Sequence, residues 1–175
     1  LGVLMRKFIA GVFLLFLTVE SIAKELPDEW ITVGQSELKI YWFSVYSAVL
    51  RTPDGRYSKG DMPLLLTLNY HRDIGRQALL DETEKELRRF ITTNQVADLL
   101  MQINDIWPDV YEGDQLSFLL DNQGEGYFFF NGQFMGVLHK TYQSQAFVKI
   151  WLSTQSRYPT LAKKLRGEFN EDLSD

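Results

Sequence analysis

The stretch LKIYWFSVYSAVL, Leu38 to Leu50, most constrains what this chain can fold into. It holds no Gly or Pro and is dense in β-branched and aromatic residues, so it predicts one long strand. Alternation sends Leu38, Ile40, Trp42, Ser44, Tyr46, Ala48 and Leu50 to one face. Lys39, Tyr41, Phe43, Val45, Ser47 and Val49 go to the other. Large apolar groups on both faces describe a central strand covered on both sides for part of its length. Thr52-Pro-Asp-Gly55 then makes a turn, with Pro53 where φ near −65° is wanted, and leads to a second strand over Pro63–Arg72.

After Asp73 the apolar period lengthens. Leu80, Leu87, Phe90 and Ile91 recur at helical spacing, supported by Glu84 and Arg88 at i, i+4. Thr92-Thr93-Asn94 offer caps for a second helix whose stripe, Val96, Leu99, Leu100, Ile103 and Trp107, stops at Pro108. Three further strands are expected over Gln115–Asp121, Gly126–Phe130 and Gln133–His139, the last two joined by Asn131-Gly132. Tyr142, Ala146, Phe147, Ile150 and Trp151 mark a helix, and a short basic one near Leu161–Arg166 closes at Gly167, ahead of a frayed acidic tail. Strands and helices fall in blocks, which predicts an α+β domain with an antiparallel sheet and helices on one face.

The first 23 residues read as a secretory signal peptide: Arg6 and Lys7, the apolar run Phe8–Val19, then Ser21-Ile22-Ala23. Leu1–Leu4 ahead of Met5 read as an overlong start. The run is shorter than the ~20 residues of a membrane-spanning helix. A single exported, periplasmic domain over residues 24–175, with no stable membrane anchor after cleavage, is therefore expected. With no cysteine, the chain has neither disulfide nor thiolate chemistry. A formal charge of −5 argues against nucleic acid as a partner.

The two histidines, His71 and His139, have no partner at metal-ligand spacing, and no nucleotide loop or nucleophile elbow is present. Neither a metal nor a cofactor is expected. What stands out is a polar set among apolar residues. Ser44 and Tyr46 share a face with Trp42, and Tyr70 and Arg72 follow the apolar file Leu64, Leu66, Leu68. An arginine there must reach water, a carboxylate or an anionic ligand. His71 falls on the opposite face, and Asp73 stands where a helix takes a cap.

Four pieces in order, FSVYSAVL (Phe43–Leu50), YHRDI (Tyr70–Ile74), GYFFFNGQFMG (Gly126–Gly136) and QAFVKIWLSTQSRYPTLAKKLRG (Gln145–Gly167), resemble the chalcone isomerase-like proteins that bacteria export. More distantly they resemble plant chalcone isomerase and its fatty-acid-binding relatives. The resemblance runs roughly from Trp30 to Gly167. It implies an open-faced β-sandwich, a curved antiparallel sheet under a helical layer, with a ligand cleft between them. In the plant enzymes an arginine polarises a carbonyl while Thr and Tyr hydroxyls assist closure of a chalcone.

The catalytic set is mostly unmatched. Ile31–Leu50 holds no arginine, only Ser36, Glu37 and Lys39 in its neighbourhood, and Lys39 lacks a planar fork. Ser44 stands for the Thr, no tyrosine lies near Gln95 and Val96, and Ile150 replaces a hydroxyl position. Asn104 falls within one position of an asparagine of the plant site. The expectation is a non-catalytic binding protein for a small amphipathic or aromatic ligand, held by Ser44, Tyr46 and Asn104 with Tyr70 and Arg72 at the margin. The rivals are an intramolecular lyase, using Lys39 or Arg72 as its cation, and an envelope module that binds a protein partner.

Overall fold

In the computed structural model, which describes residues 24–168, six strands pair in chain order into one antiparallel sheet. They are β1 (Ile31–Ile40), β2 (Phe43–Thr52), β3 (Leu64–Tyr70), β4 (Gln115–Leu120), β5 (Gly126–Phe130) and β6 (Gln133–Leu138). The helices are α1 (Arg76–Leu87), α2 (Thr93–Ile106), α3 (Thr141–Leu152) and α4 (Pro159–Leu165). The signal peptide expected over residues 1–23 and the acidic tail past Glu168 lie outside the described residues.

The sheet curves around its core. Leu64, Leu66, Leu68 and Tyr70 of β3, Phe118 of β4 and Phe128 of β5 line the inner face. Leu80 and Leu87, Val96 and Ile103, and Phe147 and Trp151 close over them from α1, α2 and α3. The outer face carries a smaller cluster, Leu65, Leu119 and Phe129, against which Leu26 and Trp30 pack. Gly34 lets α4 lie directly on β1, since a Cβ there would stand 2.0 Å from the Lys164 carbonyl oxygen.

The long strand expected over Leu38–Leu50 is a hairpin. The chain reverses at Tyr41-Trp42, with Ile40 opposite Phe43 and Tyr41 at a φ of 56°. A second irregularity follows at once. Leu38 pairs with Tyr46 but Lys39 pairs with Ser44, so Val45 is an extra residue bulged out of register. The bulge breaks alternation: Val45 turns inward beside Tyr46, and Ser44 is left on the outer face.

At the joint after β3, Asp73 is not the helix cap. Gly75 occupies that position, the Arg76 N–H donates to Asp109 Oδ1 at 2.7 Å, and Asp73 accepts from the Glu112 N–H at 2.9 Å. Thr92 does cap α2, its own N–H donating to Gln95 Oε1 at 3.0 Å. The Asn131-Gly132 turn has the two positive φ values, 49° and 79°, that its residues favour.

Candidate functional site

A cavity of about 520 Å³ opens between the inner face of the sheet and helices α1 and α3. β2, β3, β4 and β5 contribute Tyr46, Leu68, Tyr70, Leu116 and Phe128. Phe147, Ile150 and Trp151 come from α3, Ala78 and Leu79 from α1, and Trp107 from the end of α2. The β1–β2 hairpin tip forms one edge through Leu38, Lys39, Ile40 and Tyr41. A second depression of about 610 Å³ is larger but lined by the ionic side chains Lys59, Asp61, Arg89, Lys149 and Arg166. The apolar lining and the convergence of sheet and helices single out the first.

Its polar groups are few. Tyr46 and Tyr70 stand directly opposite each other on β2 and β3, rings edge to face with centroids 5.9 Å apart. Trp151 Nε1–H donates to Tyr46 Oη at 2.9 Å, which leaves the Tyr46 proton free to be donated onward. Burial pushes both phenols above the ordinary tyrosine range, so each keeps its proton and acts as a donor. Trp107 is 6% exposed, and its indole N–H has no partner among the described residues.

The cavity wall also carries an ionic group, Glu82, Glu86 and Arg157. Arg157, in the α3–α4 connection, donates to Glu82 Oε1 at 2.8 Å and lies 3.5 Å from Glu86 Oε1. Glu86 is buried, with Oε2 lacking a hydrogen bond and Arg89 3.9 Å away. The one arginine of the cavity wall is thus committed to carboxylates of α1.

Of the five residues expected from sequence, the structure brings together Tyr46 and Tyr70 on the cavity wall. Ser44 lies on the outer face, where the Val45 bulge puts it, and donates to Glu37. Arg72 does not continue the apolar file, because β3 ends at Tyr70. Its exposed guanidinium sits 6.0 Å from the Phe43 ring centroid. Asn104 is exposed on α2, whose buried stripe is Val96, Leu99 and Ile103. Lys39 borders the cavity, but its Nζ is 2.9 Å from Glu37.

His71 is on the outer face as alternation requires, its Nε2 2.6 Å from Ser47 Oγ on open surface. No cluster of three or more metal-ligating side chains occurs among the described residues. Sequence reasoning did not place Glu82, Glu86, Arg157 or Trp107 at the site. For Glu82 and Glu86 the signal was present: with Leu79 they recur at i, i+3 and i+7 on one helical face.

No protein-family model matches the chain. It is 25% identical over 140 residues to an uncharacterized protein of Haemophilus influenzae, a match covering 79% of this chain and 69% of the relative. Among solved structures it is similar to a fatty-acid binding protein of Arabidopsis thaliana, at a TM-score of 0.63 and 11% identity, over 83% of this chain and 88% of that one. With its six-stranded curved sheet and four helices, the chain has the chalcone isomerase-like fold of that neighbour.

Proposed function

We propose that this protein is an exported, non-catalytic binding protein that takes the apolar chain of an amphipathic ligand into the cavity between sheet and helices. The observation that carries this reading is the character of the cavity wall. It is apolar over most of its extent, has tyrosyl hydroxyls as protonated donors, and its one arginine is already paired with Glu82 and Glu86. Its volume of about 520 Å³ lies inside the range of about 300–1,000 Å³ common to small-molecule sites. The fatty-acid binding protein of similar fold is consistent with such a ligand.

A lyase reading needs an unpaired cation aimed at a developing enolate. Lys39 and Arg157 are each engaged by carboxylates, and Arg72 is outside the cavity. The non-catalytic reading is therefore favoured.

The test is titration of the purified protein with cis-parinaric acid, a fluorescent polyene fatty acid, alongside mass spectrometry of any small molecule that copurifies from the native host. Ala78, exposed on α1 at the cavity wall, can be replaced by Trp to block the opening at little cost to the core. Saturable one-to-one binding, weakened about ten-fold or more by Ala78→Trp, is expected. Absence of both probe binding and a copurified ligand would sink the proposal, as would binding indifferent to Ala78→Trp.

A further inference from the structure

The hairpin tip at the edge of the cavity is built against the ordinary rules for a protein surface. Ile40, Tyr41, Trp42 and Phe43 are consecutive and 45%, 88%, 79% and 54% exposed. A run of four exposed apolar residues, three of them aromatic, is out of place unless it serves a partner. The rings form a contiguous strip, with centroids 5.9 Å apart from Tyr41 to Trp42 and 5.5 Å from Trp42 to Phe43. Tyr41 holds its exposed ring on a φ of 56°, a conformation unusual for a bulky side chain.

We propose that this tip docks the protein on the surface of a phospholipid bilayer, so that the cavity faces the lipid from which its ligand is drawn. The proposal rests on the amphipathic-ligand reading above. Three observations select a bilayer as the occupant. The residue types, Trp and Tyr beside Phe and Ile, are those that settle where hydrocarbon meets headgroups. The apolar groups sit on a projecting hairpin turn, a shape that inserts between headgroups. The charge beside the strip is the exposed Arg72, its guanidinium 6.0 Å from the Phe43 ring centroid, where it can meet lipid phosphate. Glu37, the acid on β1 below the tip, is neutralised locally by Lys39 at 2.9 Å.

The tip is also continuous with the cavity, since Ile40 and Tyr41 belong to both surfaces. A chain leaving the bilayer along this strip would meet apolar groups as far as Tyr46 and Leu68. No described helix is long and apolar enough to cross a membrane, so the contact proposed is a peripheral one.

The test is cosedimentation of the purified protein with phosphatidylcholine vesicles, and with the same vesicles carrying a minority of phosphatidylglycerol. Trp42→Ser with Phe43→Ser removes the half of the strip that lies off the cavity wall, and Arg72→Glu reverses the charge. Binding to both vesicles is expected, several-fold stronger with phosphatidylglycerol. The double variant should weaken it about ten-fold or more, and Arg72→Glu should remove the phosphatidylglycerol increment.

Brominated lipid should quench tryptophan fluorescence in the wild type and not in the double variant. Parinaric acid binding in solution should stay within about two-fold for the double variant. Ala78→Trp should show the reverse pattern, so loss of the docking proposal and loss of the cavity proposal read differently. No cosedimentation with either vesicle would overturn the inference, as would unchanged binding by the double variant. So would a dimer that the double variant abolishes in sedimentation velocity without vesicle binding, which would make the tip a self-association face.

Discussion

Lengthening a straight-chain ligand one carbon at a time perturbs the cavity along its own axis. Each methylene moved from water into apolar surroundings contributes about 0.8 kcal/mol. Since about 1.4 kcal/mol is a factor of ten, the dissociation constant should fall about four-fold per carbon. The series must also end. If a methylene fills about the 30 Å³ share of one liquid water, the 520 Å³ cavity takes on the order of 17 of them. Isothermal titration calorimetry across a homologous series of acids and of alcohols measures both the slope and the plateau.

The head group should matter less than the chain. Tyr46 and Tyr70 offer neutral donors that serve a carboxylate or a hydroxyl, and no unpaired cation on the wall favours the acid. Melting gives an independent check. Ligand at a hundred times its dissociation constant adds about 2.7 kcal/mol, which raises Tm by about 5–10 °C in a domain of this size. A slope below two-fold per carbon, or a series that keeps tightening well beyond the plateau length, would refute the assignment of the cavity as the chain site.

Tyr46→Phe removes the acceptor of Trp151 Nε1–H and leaves that donor unsatisfied between α3 and the sheet, so urea denaturation should show a loss of about 1–3 kcal/mol. A loss below 0.5 kcal/mol would mean the indole finds another partner. Tyr41→Gly relieves a positive φ costing about 1–2 kcal/mol and adds unfolded-state freedom worth about 0.5–1 kcal/mol, so stability should hold or rise by up to about 1.5 kcal/mol. Clear destabilisation would show that the Tyr41 ring packs for stability.

His139 and Tyr127, both hydrogen bonded to Glu125, hold its carboxyl below the usual value of 4.5. A depressed carboxyl stabilises the fold above its unfolded value, and that contribution is lost as pH falls from 4.5 through the depressed folded value. Tm should therefore drop on acidification through this window, and drop less in Glu125→Gln; equal drops would remove Glu125 from the acid response.

Periodicity made the block order of strands and helices legible, and with it the α+β class. It located β5, whose bounds match at Gly126 and Phe130, and the Asn131-Gly132 turn, because hydrophobic period and turn chemistry agreed there. It failed where the hydrogen-bond ladder breaks without a residue that advertises the break. Tyr41-Trp42 contains none of the Gly, Asn or Pro that usually mark a reversal. The Val45 bulge has no sequence signature, and the end of β3 at Tyr70 falls inside an uninterrupted pattern.

Two of these breaks relocate a candidate residue. The bulge removes Ser44 from the inner face, and the strand end releases Arg72. Asn104 went astray differently, by a family position beside Ile103 rather than by the helical period, which turns inward at Val96, Leu99 and Ile103. Tyr46 and Tyr70 reach the cavity because both lie on the regular side of these breaks, where β2 and β3 pair without interruption. The same irregular hairpin that defeats alternation also presents Tyr41, Trp42 and Phe43 to solvent. The residues least legible in the sequence are thus the ones that give the cavity its edge, and a functional reading of this chain has to begin at the irregularities of β1 and β2 rather than at the polar cluster His71-Arg72-Asp73.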